Sequence, residues 1–167
     1  MQAGGCSVSS INAKNQYGLL AGIALIILLL SPPTFAMNCK ATISPLVFGT
    51  YMPMRTSNLD VTGQIDVRCQ AQPGSFSIVL SPGSSGNPLG RVMIAGVGDI
   101  LSYNLFLDAA RTQVWGDGSP PTVFATGVRS NSGRPSFYTF PIYGRIFANQ
   151  APNPGTYADN IVVTVLF

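Results

Sequence analysis

Few side chains in this sequence could carry acid–base, nucleophilic or metal chemistry. There is no histidine and no glutamate, so six aspartates and three cysteines make up most of the candidate set. Without imidazole there is no Ser–His or Cys–His pair and no ordinary general base for neutral pH. Paired-carboxylate chemistry would need two aspartates in an apolar setting that separates their pKa values, and no pair has one. Asp60 and Asp66 fall on the polar side of an alternating segment. Asp117, within Trp115-Gly116-Asp117-Gly118, reads as a turn residue, because Asp-Gly favours tight turns. Calcium ligation there would need more oxygens than one loop offers, and two or three cysteines without histidine make a poor zinc site. No enzyme activity, metal or cofactor is expected.

What the cysteines do depends on the compartment. Residues 19–30 form an apolar run after Lys14, followed by Ser31-Pro32-Pro33 and Thr34-Phe35-Ala36. Proline stops the apolar helix and a small residue closes the segment, the pattern of an export signal. Cleavage is expected after Ala36, dividing the chain into a signal peptide, 1–36, and a mature domain, 37–167. An uncleaved anchor is the competing reading, although the run is short for a ~20-residue span. A lipoprotein signal fits poorly, since Met37-Asn38 precede Cys39 where small residues are needed. Cys6 leaves with the signal, and an even pair in an exported protein reads as a disulfide, Cys39 to Cys69. Closing that loop stabilises the fold by roughly 3–4 kcal/mol in the chain-entropy treatment.

The elements that must position these residues are strands. The chain is 46% hydrophobic and 9% charged, with 18 Gly and 13 Pro. It has no Glu and only two lysines, Lys14 and Lys40, where helix surfaces are ordinarily covered by such residues. A formal charge of +3 is too weak and scattered for nucleic-acid binding. In 59–69, Leu59, Val61, Gly63, Ile65, Val67 and Cys69 alternate with Asp60, Thr62, Gln64, Asp66 and Arg68, the period of a half-buried strand. Further strands are expected at 40–51, where Pro45 marks an edge or bulge, and at 76–80, 100–107, 123–128, 137–148 and 157–167. In the last, Tyr157, Asp159, Ile161, Val163, Val165 and Phe167 share one face. About seven short strands, regular turns and one disulfide indicate an all-β, immunoglobulin-like sandwich in a single domain.

Five stretches, in order, resemble the spore coat protein U domain family, the pilins of archaic chaperone–usher pili. They are Cys39 with Phe48-Gly49-Thr50-Tyr51, and the strand ending in Cys69. The third is Leu101-Ser102-Tyr103-Asn104-Leu105-Phe106-Leu107-Asp108 with Trp115-Gly116-Asp117-Gly118. The fourth is Pro141-Ile142-Tyr143-Gly144-Arg145-Ile146 with Gln150. The fifth is Gly155-Thr156-Tyr157-Ala158-Asp159-Asn160, continuing to Phe167.

The resemblance implies an incomplete sandwich whose missing strand comes from a periplasmic pilus chaperone and then, at an outer-membrane usher, from another pilin subunit. This is β-strand addition, and it implies export to the cell surface or an extracellular fibre. Ile161, Val163, Val165 and Phe167 are the expected groove or chaperone-contact residues; ordinary closed-core packing is the alternative. Cleavage after Ala36 would leave only Met37 and Asn38 before Cys39, too short to lie along a neighbour's groove, so a place at the fibre tip is expected. A tip would meet an abiotic or host surface, and Val92, Met93 and Ile94 are a candidate surface-binding loop, with a buried strand as the alternative. A free-standing coat protein or carbohydrate-binding module, using Trp115 and Tyr138 to stack on sugars, is the competing function.

Overall fold

The period-2 pattern of the sequence becomes eight strands in the computed structural model, which describes residues 38–70, 74–96, 98–129 and 134–167. The expected signal peptide, its cleavage site and Cys6 lie outside the described residues. The strands are β1 (Asn38–Ile43), β2 (Leu59–Gln70), β3 (Gly74–Leu80), β4 (Val92–Ile94), β5 (Ile100–Phe106), β6 (Ala125–Arg129), β7 (Ser136–Ile146) and β8 (Val163–Leu166). They form a five-stranded sheet in the order β1-β2-β7-β5-β4 and a three-stranded sheet in the order β6-β3-β8. Every pairing between named strands is antiparallel.

The two sheets face each other across one core. Ile65, Val67, Leu101, Tyr103, Leu105, Ile142 and Ile146 from the larger sheet meet Phe76, Ile78 and Leu80 from the smaller one. Phe76 packs edge-on to Tyr138 and Phe140, with ring centroids 5.1 and 6.0 Å away. Register explains the disulfide: Cys39 of β1 lies directly opposite Cys69 of β2, and the two sulfurs are bonded. Cys69 is completely buried, so the bond ties the edge strand β1 to the core.

Three segments depart from the sequence expectation. The first strand stops at Ile43, ahead of Pro45, instead of running to Tyr51. From there residues 44–53 leave the sheet edge as a strap across its inner face. Gly63 on β2 and Gly144 on β7 leave the room: a Cβ on Gly63 would stand 2.7 Å from Leu46, and one on Gly144 would meet Leu46 at 2.7 Å and Phe48 at 2.8 Å.

The candidate loop of Val92, Met93 and Ile94 is a strand, β4, paired with β5. Met93 turns into the core and only Ile94 is substantially exposed, so the strand alternative describes this segment.

The expected strand at 157–167 is regular only over Val163–Leu166. Before that the chain is held across both sheets: Ala158 bridges Ile94 of β4, and Ser81 N–H donates to the Val162 carbonyl at 3.0 Å. Two sets of partners pull the backbone out of one continuous ladder.

Candidate functional site

The smaller sheet ends at β8. This strand pairs with β3 on one side, and no described strand continues the ladder on the other. Beside it lies an open groove of about 850 Å³. Its lining comes from the inner faces of β5 and β7 (Leu101, Tyr103, Leu105, Ile142, Ile146), from the strap, and from residues 152–163 leading into β8. Leu80 and Met93 add further apolar surface. An unpaired strand edge beside an apolar groove has backbone donors and acceptors to share and hydrophobic surface to cover.

Of the residues expected to act here, the structure brings Ile161 and Val163 to the groove lining. Val165 faces the same way along β8 and packs against the core. Phe167 lies past the end of β8 and is 63% exposed, so it is not part of the lining. Val162 and Leu166, on the opposite face, are also more than half exposed. Residues 161–167 therefore carry apolar side chains on both faces, and among the described residues no strand pairs with the outer edge of β8.

Polar contacts hold the groove walls. Asp159 accepts hydrogen bonds from Ser84 N–H (2.8 Å), Ser84 Oγ–H (2.7 Å), Tyr103 O–H (2.7 Å) and Asn160 N–H (2.8 Å). Burial pushes the Asp159 carboxyl up, but these hydrogen bonds together carry it below the ordinary carboxylate value. Burial, reinforced by the bond to Asp159, holds the Tyr103 phenol well above its ordinary value, so it serves as a donor. Asp159 thus pins the segment entering β8 to the floor strand β5.

Below them, Arg91 is fully buried. It donates to the carbonyls of Ser81 (2.8 Å) and Trp115 (2.9 Å) and to Asn104 Oδ1 (2.8 Å). Burial pushes its pKa down, partly offset by Tyr103 and Asp159. On the strap side, the Gln150 side chain accepts from Ser102 N–H (2.7 Å) and donates to the carbonyls of Ser102 (2.9 Å) and Phe147 (2.8 Å), standing in for a missing backbone partner.

Arg91 and Asp159 carried no site assignment from sequence. A lone arginine in a Gly-rich stretch and an aspartate in an alternating strand give no local sign of burial. Asp159 alternates in phase with Ile161 and Val163, and that phase was the available signal.

Trp115 is also reassigned. It is completely buried and its Nε1–H donates to the Ile78 carbonyl at 2.9 Å, so it offers no ring face to a sugar. Tyr138 packs on Phe76 and Phe140 and donates to the Val128 carbonyl at 2.9 Å. Asp117 accepts from Ser119 N–H at 2.9 Å, as a turn residue does. Asp60 is held by both Arg145, at 2.7 Å, and Arg111, at 3.3 Å. Among the described residues, no group of three or more His, Cys, Asp or Glu stands close enough to hold a metal ion.

A profile of the Spore Coat Protein U domain matches residues 25–164. Protein U of Myxococcus xanthus is 31% identical over 134 residues, covering 73% of this chain and 71% of that protein. Among solved structures, a chain of the CsuC–CsuE chaperone–tip adhesion subunit pre-assembly complex, from the archaic chaperone–usher Csu pili of Acinetobacter baumannii, aligns with a TM-score of 0.55 and 19% identity. That match covers 79% of this chain but only 40% of the other, and at this identity it is a likeness of fold.

Proposed function

Because this chain belongs to the spore coat protein U domain family, we propose that it is a structural subunit of a surface polymer of the archaic chaperone–usher pilus type. The groove beside β8 is where another chain adds its strand. The outer edge of β8, which pairs with no strand among the described residues, carries the reading. It offers main-chain hydrogen bonds to an extended segment, while Ile161, Val163 and the floor residues Leu101 and Ile142 receive that segment's alternate apolar side chains. A periplasmic chaperone fills the groove during transit, and a second pilin subunit replaces it at the outer-membrane usher. Exposed Val162, Leu166 and Phe167 supply further surface for the chaperone to cover.

Fibre position follows from processing. Cleavage after Ala36 would leave Met37 ahead of β1, and a subunit so processed accepts a strand without donating one, which is the tip position. N-terminal sequencing of the exported protein tests this, and a mature start well upstream of Met37 would sink it.

The acceptor role is tested by periplasmic expression with and without an archaic-type chaperone. A stable one-to-one complex, with the lone subunit degraded or aggregated, is the expected result. A soluble, oxidised monomer that ignores the chaperone would overturn the reading and restore the free-standing sandwich.

A further inference from the structure

The outer face of the larger sheet, turned away from the groove, carries an arrangement that packing does not require. Lys40 of β1 lies directly opposite Arg68 of β2, and Arg68 directly opposite Phe137 of β7, so the three form one row across three strands. Lys40 and Arg68 are exposed, and Phe137 is 73% exposed. Like charges set directly opposite on a sheet face are destabilising.

Among the described residues, neither cation of this row forms an ion pair; the ion pairs there join Asp60 to Arg111 and Arg145. The nearest acid along β2, Asp66, is engaged instead by Gln64 (2.8 Å) and Thr139 (2.7 Å). A lysine on an edge strand can serve simply to discourage edge pairing. That account does not extend to Arg68, whose strand is paired on both sides.

The guanidinium of Arg68 lies over the Phe137 ring, 5.5 Å from its centre, which orients the cation, and Phe137 is still largely exposed. Asn38 and Gln70, paired in the next outward row and both exposed, add side-chain amides.

We infer that this row, Lys40, Arg68 and Phe137, is a binding site for an acidic polysaccharide, whose carboxylate or sulfate groups seat between the two cations while a sugar ring lies on Phe137. The strands of the two cations are adjacent, with backbones about 4.8 Å apart, so the two long side chains can reach toward one anionic group and meet it with charge-assisted hydrogen bonds. Two cations are too few to neutralise a run of nucleic-acid phosphates, whereas a glycan adds hydroxyls for Asn38 and Gln70. The site is independent of the groove, on the other face of the sheet, so its failure would leave the subunit reading standing.

The test uses the oxidised protein recovered from the periplasm, alone or with its chaperone bound, in affinity electrophoresis through polygalacturonate, heparin or neutral dextran. Retardation by polygalacturonate or heparin, weakening with salt, and none by dextran is expected. Lys40→Gln with Arg68→Gln should weaken it roughly tenfold or more, and Phe137→Ser should also weaken it. The melting temperature of the double variant should be unchanged or raised, since a repulsion is removed. Lys40→Arg, which keeps both charges and the contact between Arg68 and Phe137, should bind like the parent. If the double neutral variant does not accumulate, Lys40→Gln alone carries the test. Equal retardation of parent and neutral variants, retention by dextran, or stronger binding to single-stranded DNA or anionic vesicles would overturn the inference.

Discussion

Replacing Asp159 with Ala removes one acceptor shared by four donors, and their surroundings set the cost. The two Ser84 donors and Asn160 N–H lie at a partly exposed site and return to water at little net cost. Tyr103 is 3% exposed, and its hydroxyl would be stranded against the groove floor. A stranded buried donor costs about 1–3 kcal/mol, and a hydrogen bond to a charged group is worth about 1.5–3 kcal/mol. Asp159→Ala is therefore expected to destabilise by about 2–4 kcal/mol, and Tyr103→Phe, which leaves Asp159 its other donors, by about 1–2 kcal/mol.

Because one bond is common to both changes, the double variant should cost little more than Asp159→Ala, giving a coupling of about 1–2 kcal/mol. Urea unfolding of the oxidised subunit, or of its chaperone complex if the lone subunit aggregates, reads all three values. Since Asp159 holds the segment entering β8, capture of a strand-donor chain should weaken in the same order. Strictly additive single effects, or loss of stability with capture untouched, would refute the argument that this contact sets the groove wall.

Val163→Asp places a charge in the groove that an added strand would bury, at a cost of several kcal/mol if unpaired. Chaperone co-purification should fall sharply while the disulfide still forms in the periplasmic fraction. Removing the disulfide with Cys39→Ser and Cys69→Ser frees a loop whose ends are 30 residues apart. It should destabilise by about 3–4 kcal/mol, measured as the difference in denaturant midpoint against the oxidised parent. Asp159 and Asp60 are both held below the ordinary carboxylate pKa, the latter chiefly by its hydrogen bond from Arg145. Their contribution is complete above the unfolded value near ~3.9 and is lost as pH falls through the lower folded values. Melting temperature should thus be flat above about pH 5 and decline below about pH 4, with a shallower decline in Asp159→Asn.

The sequence by itself determined the strands whose side chains alternate, because burial on one sheet face imposes a period that survives without knowledge of the partner. β2, β3, β5 and β7 fall within a few residues of expectation, and Cys39 and Cys69 could be paired by counting. The phase of Tyr157, Asp159, Ile161, Val163 and Val165 was legible for the same reason.

Only the tertiary structure decided where that segment stops being a strand, since Ala158 and Asp159 are claimed by partners on β4, β5 and the turn at Ser84. It also decided that residues 44–53 fold over Gly63 and Gly144, that Arg91 is buried among carbonyls, and that Trp115 is sealed inside. Each of these depends on contacts between residues far apart in the chain, and a local pattern carries no record of a distant neighbour. The outer edge of β8, unpaired among the described residues, belongs with them: a strand's own residues state which face is apolar, but the packing of the other strands decides which edge they cover.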